Sequence, residues 1–177
     1  MKNNIISDLY RYTGKTSRKV MLQMFLRKPD FRHVVLLRLY QRKPLYVLRL
    51  LLARSTHRTH IEIGWHTRIG DGILLVHPSG IAVNNDCVIG RNCTIYGGVT
   101  LGTEFRGKRA GCPSLGDCVW IGPNATIVGN INIGDDVLIS PNSFVNFDVP
   151  PHAIVVGNPG KIIHRENATE QYIVRKV

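Results

Sequence analysis

One histidine stands in an otherwise apolar part of the sequence. His77 lies in the segment ILLVHPSGIAV, residues 73–83, and is followed directly by Pro78, Ser79 and Gly80. An imidazole titrates near neutral pH, so it can act as a general base, bind a metal ion, or sit in the core with its hydrogen bonds satisfied. The residues around His77 must decide between these three roles.

Aliphatic side chains recur every six positions on both sides of this histidine. They are Ile63, Ile69, Leu75, Val83, Ile89, Ile95, Leu101, Leu115, Ile121, Ile127, Ile133, Ile139 and Val145, and we call them the anchors. A period of six fits neither an amphipathic helix nor an alternating strand. It is typical of a solenoid whose coils have flat sides, with the anchors stacked inward.

The repeat therefore predicts a mainly β protein, a parallel β-helix of hexapeptide repeats shaped as a triangular prism. Thirteen anchors correspond to about four to five coils. Glycines and Asn-Asp pairs between the anchors supply turns, because glycine adopts left-handed backbone conformations at no steric cost and asparagine tolerates them.

Two interruptions break the register. The spacing is eight between Leu75 and Val83, so two extra residues lie where His77 sits. It is fourteen between Leu101 and Leu115, which leaves an eight-residue excursion in loop 102–114. Solenoids accommodate insertions at their corners, as loops on a face that is often the binding face.

The repeat divides the chain into three segments. Residues 1–58 are basic and have apolar residues at helical spacing, which predicts an α-helical segment. Residues 59–149 carry the repeat and loop 102–114. Residues 150–177 leave the repeat and predict a C-terminal tail or short helix.

The net charge of +11 belongs to the first segment. Residues 1–60 hold fourteen Lys or Arg against two acids, whereas residues 61–177 hold nine against ten. The basic helices have three interpretations: they cap the open strand edge and contact neighbouring subunits, they lie on anionic lipid, or they bind nucleic acid. We favour the cap, keep a peripheral membrane contact through residues 1–58 as an option, and predict no nucleic-acid binding because no recognised binding module accompanies the charge.

The charged start of the chain and the spacing of its cysteines predict the cellular compartment. The start of the chain is charged and has no apolar signal-peptide region, and the apolar stretch 33–54 is broken by four basic residues and a proline. Four cysteines lack C-x-x-C spacing, which favours neither zinc nor a disulfide framework. We expect a cytoplasmic protein, with a peripheral position at the inner face of the membrane as the option.

Two stretches of the repeat resemble a known family. Residues 61–102, IEIGWHTRIGDGILLVHPSGIAVNNDCVIGRNCTIYGGVTLG, and residues 113–136, PSLGDCVWIGPNATIVGNINIGDD, are similar to the serine acetyltransferase branch of hexapeptide acyltransferases. The resemblance extends over about residues 30–163. It implies left-handed winding, acetyl-CoA as co-substrate, and a homotrimer with sites between adjacent prisms, which loop 102–114 would reach.

The resemblance also assigns the base. In that branch a histidine of the first coils is the general base, and an acid fifteen positions earlier orients it; His77 and Glu62 match these places. A hydroxyl is a poor nucleophile and needs such a base, while a carboxylate on the second ring nitrogen fixes the tautomer. The acceptor hydroxyl would then attack the thioester directly, without an acyl-enzyme.

The neighbours of the base depart from the family pattern. Serine acetyltransferases have Asp before the histidine and Arg-His-Pro before the repeat resumes, where this chain has Val76 and the triplet Gly111, Cys112 and Pro113. Arg109 and Cys112 are the candidate acceptor contacts. An amino acid without charge partners would be costly to bind, so we predict a sugar or saccharide acceptor in surface polysaccharide biosynthesis. The alternatives are serine O-acetylation for cysteine biosynthesis and, as a non-enzyme, a membrane-associated binding or scaffold solenoid.

Coenzyme A contacts are expected in the late coils. By resemblance to galactoside- and maltose-type acetyltransferases they fall on Pro123, Pro141, Asn146, Phe147 and Lys161, with Lys161 as the phosphate partner. No metal is expected, because the histidines do not reproduce the ligand spacing of γ-class carbonic anhydrases, which share this solenoid.

Overall fold

The first part of the described chain is helical and precedes the β-strands. In this computed structural model, which describes residues 4–177, the helices are α1 (Asn4–Thr13), α2 (Arg18–Arg27), α3 (Pro29–Arg42) and α4 (Tyr46–Thr59). Within residues 4–177 no helix has both the length and the apolar character that crossing a membrane requires.

Short strands then wind through three parallel sheets, which we call faces A, B and C. Face A contains β1 (Ile61–Ile63), β4 (Ile81–Val83), β7 (Thr100–Gly102), β10 (Thr126–Val128) and β13 (Phe144–Val145). Face B contains β2 (Arg68–Ile69), β5 (Val88–Ile89), β8 (Ser114–Leu115) and β11 (Asn132–Ile133). Face C contains β3 (Leu74–Val76), β6 (Thr94–Tyr96), β9 (Trp120–Ile121), β12 (Val137–Ile139), β14 (Ala153–Val156) and the antiparallel β15 (Lys161–His164).

The chain visits the three faces in turn, so the predicted parallel β-helix is confirmed. Face A alone has five strands, which correspond to about five coils. The anchors stack in register: on face A, Ile63 pairs with Val83, Val83 with Leu101, Leu101 with Ile127 and Ile127 with Val145. All anchors are buried except Ile69, which is partly exposed on the first coil.

A buried ion pair joins α1 to α3, and both of its partners bond to the backbone of the first coil. Arg38 Nε lies 3.0 Å from Asp8 Oδ2, and both side chains are inaccessible to solvent or nearly so. Asp8 also accepts the backbone N–H groups of residues 72–73, and Arg38 donates to the carbonyls of residues 69–70. Burial raises the pKa of Asp8, although Arg38 and the backbone donors act to lower it. The pair fixes the helices over the first coil.

The C-terminal segment returns across face C. Asp136 accepts hydrogen bonds from Ala168 and Thr169, and the backbone N–H of Val177 donates to the Asn92 side chain. This segment leaves Trp120 only 8% exposed. Residues 153–156, which the sequence reasoning assigned to the tail, instead form β14 on face C, so the solenoid runs beyond residue 149.

Candidate active site

His77 occupies the corner between β3 and β4. Its φ of 46° is in the left-handed region, and its carbonyl accepts the Ser79 N–H at 2.9 Å. Gly80 N–H donates to the His60 carbonyl at 2.9 Å, which joins this corner to the end of α4. The two inserted residues thus form a tight turn, and the imidazole is exposed.

The corner of the following coil lacks side chains. A Cβ at Gly97 would lie 2.2 Å from the His77 carbonyl oxygen, and Gly98 has a φ of 75° and donates to the Ser79 carbonyl. Since real Cβ atoms do not approach backbone oxygens so closely, a substituted residue 97 would push the His77 turn out of place. Glycine here permits the close stacking of the two corners.

The ends of two helices border the exposed imidazole. His77, Pro78 and Ser79 border an open depression of about 430 Å³ whose other walls are the start of α3, Pro29 and Asp30, and the end of α4, Arg58 and Thr59. Sequence reasoning missed Asp30 and Arg58, because they lie outside the repeat and only the folded helices bring them to the histidine.

Asp30 and Arg58 give this depression both charges. Within residues 4–177 neither side chain makes a hydrogen bond or an ion pair, so both charges are available to a ligand. A carboxylate pairs with an ammonium group, and a guanidinium can hold a carboxylate with two parallel hydrogen bonds. Beside an exposed imidazole, the arrangement suits a small zwitterion that carries a hydroxyl.

Glu62 lies near the same edge but does not touch His77. It projects from the centre of β1 on face A and is exposed, bordering a second depression of about 270 Å³ together with Ala82, Asn84 and Thr100. Between Glu62 and His77 the described chain has neither a hydrogen bond nor an ion pair. The strand β1 pairs with β4, into which the His77 corner leads. The positioning role of Glu62 stays a prediction.

The predicted acceptor residues of loop 102–114 lie elsewhere in the chain. The Arg109 guanidinium donates to the backbone carbonyl of Asn146, and Cys112 Sγ lies 2.9 Å from Thr103 Oγ1. The loop leaves the solenoid between faces A and B, so neither residue borders the His77 depression of its own chain. A contact with acceptor through these residues would require a neighbouring subunit.

The predicted coenzyme A residues fall on two edges of the prism. Pro123 and Pro141 lie on the His77 edge: Asn124 N–H donates to the Gly97 carbonyl and Asn142 N–H to the Pro123 carbonyl, each at 3.0 Å. At about 4.8 Å per coil, Pro123 stands about 10 Å along this edge from His77.

Asn146 and Phe147 lie further round the prism, whereas Lys161 pairs with Val156 at the end of β14, on the His77 edge. Asn146 and Phe147 follow β13, and Lys161 begins β15 with an exposed side chain. Phe147 is partly buried against the core and approaches Gly160, so its ring stands beside the first residue of β15. The Lys161 side chain is exposed, and Phe147 packs against the backbone directly before it.

Histidines and cysteines do not cluster. Among residues 4–177, no three His, Cys, Asp or Glu side chains come together as a group able to hold a metal ion. His33 is buried between α3 and α4 with Nδ1 at 3.2 Å from Ser55 Oγ, and burial lowers its pKa to about 4.

Known proteins are similar to the repeat and to most of the chain. Residues 113–146 match the bacterial transferase hexapeptide family. The serine acetyltransferase of Synechococcus elongatus is 39% identical over 150 residues, which cover 81% of this chain and 61% of that protein. The Staphylococcus aureus enzyme is 39% identical over 136 residues, which cover 76% of this chain and 63% of the relative. The chain thus spans somewhat less than two thirds of these relatives.

Solved structures similar to this chain include serine acetyltransferases as well. Neisseria gonorrhoeae serine acetyltransferase in complex with serine superposes with a TM-score of 0.71 at 31% identity, covering 90% of this chain and 67% of that one. Soybean serine acetyltransferase complexed with serine gives a TM-score of 0.73 at 33% identity, covering 90% and 68%. The solenoid is accordingly the left-handed β-helix of these proteins, as predicted.

Proposed function

Because the chain belongs to the hexapeptide-repeat acyltransferases, in their serine acetyltransferase-like branch, we propose that it is an acetyl-CoA-dependent O-acetyltransferase. The observation that carries the proposal is the exposed imidazole of His77, held at a left-handed corner inside a depression that presents Asp30 and Arg58. A base with a charged pair beside it can both bind and activate a small hydroxyl compound.

We propose L-serine as the acceptor. The relatives support the serine alternative better than the saccharide acceptor that sequence reasoning preferred, and none of them supports polysaccharide biosynthesis. Val76 and the triplet 111–113 offer no charge partner for an amino acid. Asp30 and Arg58 supply an anion and a cation from the helices, so a serine ammonium and carboxylate would not remain unpaired.

A saccharide hydroxyl is the second candidate, because Val76 directly before the base is apolar and Cys112 carries no charge. These two residues still favour a neutral acceptor if they, rather than Asp30 and Arg58, face the substrate. An assay with both substrate types separates the two.

The proposed reaction uses His77 twice. Its neutral imidazole takes the proton of the acceptor hydroxyl while that oxygen attacks the thioester carbonyl carbon. The C–S bond then breaks, and the imidazolium returns the proton to the leaving thiolate of coenzyme A. The products are the O-acetyl ester and free coenzyme A, and no acyl-enzyme forms.

The edge that begins at His77 offers a path for the donor. Gly97 and Gly98 carry no side chain between His77 and Pro123, which leaves the edge open for an extended pantetheine arm. Pro123 and Pro141 would line its far end. Lys161 is exposed and would take a phosphate.

We expect a homotrimer in which a neighbour completes the site. The His77 depression is open in one chain, and loop 102–114 projects from the prism with Phe105 84% exposed. Such a loop is stable against a second prism rather than in water, and it would bring Arg109 and Cys112 of one subunit toward the next.

Release of thiol from acetyl-CoA tests the proposal. We expect turnover with L-serine above that with a panel of sugars, and a loss of about 100- to 10,000-fold in kcat for His77→Ala, the usual contribution of a general base. Turnover that survives His77→Ala would exclude the mechanism. A preference for a sugar would instead move the acceptor to the second candidate, and no turnover with bound acetyl-CoA would favour a binding solenoid.

A further inference from the structure

One helix leaves large apolar side chains in water. Tyr46, Val47, Leu50 and Leu51 on α4 are 73%, 56%, 52% and 45% exposed. Their spacing of one, three and four residues places them side by side along one side of the helix, with Arg54 next in the same row. We call these five residues the α4 face. Contiguous exposed apolar surface is uncommon on soluble proteins and usually marks a contact.

The surroundings of the α4 face are cationic. Ten Lys or Arg side chains of residues 4–60 are exposed, namely Lys15, Arg18, Lys19, Arg27, Lys28, Arg42, Lys43, Arg49, Arg54 and Arg58. In the same range no acidic side chain is exposed: Asp8 is buried against Arg38, and Asp30 is half-buried. The partner of the α4 face must therefore tolerate or prefer positive charge.

A depression beside the α4 face combines the two properties. It has a volume of about 300 Å³ between α2, α3 and α4. Phe25, Leu36 and Leu51 form its apolar lining, and the guanidinium side chains of residues 32, 54 and 58 border it. An anionic headgroup with the first carbons of an acyl chain has this combination of charge and apolar surface.

We infer that the α4 face docks on an anionic phospholipid surface. Apolar side chains insert at the boundary between headgroups and acyl chains, and basic side chains meet the anionic headgroups. A second copy that presents the same face fits less well, since two such faces would bring cations against cations. Nucleic acid fits less well, since its phosphates gain nothing from exposed leucine and valine. This inference goes beyond the proposed acetyl transfer and does not depend on it.

Vesicle co-sedimentation of the full chain tests the inference. We expect binding to phosphatidylcholine vesicles containing phosphatidylglycerol, none to phosphatidylcholine alone, and weakening as salt is raised. Arg54→Gln should weaken partitioning about fivefold and Leu50→Asn about tenfold. Matched controls are Arg165→Gln and Ile163→Asn, exposed positions at the last coil, the opposite end of the solenoid from α4, that remove the same charge or a similar apolar group.

Contrary results would either overturn the inference or point to another partner for the α4 face. Equal effects of the controls, or no binding to anionic vesicles at low salt, would overturn the inference. A change of sedimentation coefficient in Leu50→Asn without lipid would assign the face to a second copy. Binding to an oligonucleotide that Arg54→Gln removes, without vesicle binding, would assign it to nucleic acid. Acetyl transfer to soluble acceptor should persist in Leu50→Asn, and vesicle binding in His77→Ala, so the two proposals fail separately.

Discussion

The solenoid and the helical segment contribute to the site in different ways. The solenoid repeats one rule, an inward anchor every six residues, and it places His77 at a corner where two extra residues break that rule. The helices follow no repeat, and they bring Asp30 and Arg58 to the same depression. In the proposed site the solenoid is a regular frame that would hold the base, and the helices are an irregular cover that would supply the charges that select a ligand. The predictions below test that division, beginning with the largest expected effect.

Breaking the Asp8–Arg38 ion pair, which joins α1 and α3 over the first coil, should have the largest effect on stability. Asp8→Ala leaves Arg38 buried without its partner, so we expect the free energy of unfolding to fall by about 3–5 kcal/mol. Urea unfolding measures this. Asp30→Ala is the control, because Asp30 is half-buried without an ion pair and should change stability by less than about 1 kcal/mol. Equal losses would mean that the pair does not fix the helices.

Removing an inner anchor should cost nearly as much. Ile127 is fully buried on β10, the fourth of the five face A strands, and has a strand on either side, so Ile127→Ala should lower the free energy of unfolding by about 2–5 kcal/mol. Ile69→Ala on the partly exposed first coil should cost distinctly less. A larger loss at Ile69 would show that the helices, rather than the stacked anchors, hold the prism together.

Adding a methyl group behind the base should affect activity more than stability. Gly97→Ala places a Cβ against the His77 carbonyl, so we expect about 1–3 kcal/mol of destabilisation together with a fall in kcat of at least about tenfold. Gly102→Ala is the matched control, since its Cβ would meet the Val128 methyl at 3.2 Å. A thermal melt and the thiol-release assay, run together, distinguish the variants. Full activity of Gly97→Ala would contradict the required corner geometry.

The pH dependence of the C-terminal segment should be the smallest effect. For Asp136, burial acts to raise the pKa, but hydrogen bonds from Thr169 and His152 outweigh it and the pKa is lowered; the Asp136 hydrogen bond raises the pKa of His152. The stability that ionised Asp136 contributes is therefore lost as pH falls through its lowered pKa. The stability that protonated His152 contributes is complete below the ordinary histidine pKa of about 6.5. It is lost as pH rises through the raised pKa of His152.

Docking of this segment should accordingly be tightest in mildly acidic solution and loosen above neutral pH. Hydrogen exchange at residues 168–173 measures it, and His152→Gln should remove the change on the alkaline side only. An unchanged profile in His152→Gln would show that Asp136 alone retains the segment.

Much of the frame was predictable from the sequence. The six-residue period identifies the inward side chains because each coil repeats the same local geometry, and the insertion marks His77 without any structure. The extent of the solenoid was less predictable, since β14 follows a proline-rich corner that interrupts the period.

The site residues on the helices could not be predicted in the same way. Asp30 and Arg58 stand 47 and 19 residues before His77, and only the packing of α3 and α4 on the first coil brings them near it. The acceptor prediction used residues within the repeat alone and therefore missed both charges. Nor does helical spacing reveal that His33 lies buried between two helices.

The steady-state KM for L-serine in Arg58→Gln tests the central claim most directly. Arg54→Gln, one turn earlier on α4 and outside the His77 depression, is the matched control. If Arg58 binds the serine carboxylate, the KM for serine should rise about 10- to 100-fold, the effect of losing a charged hydrogen bond, while the KM for acetyl-CoA stays the same. An unchanged KM for serine in Arg58→Gln, or an equal rise in Arg54→Gln, would contradict a site shared between the solenoid and its helices.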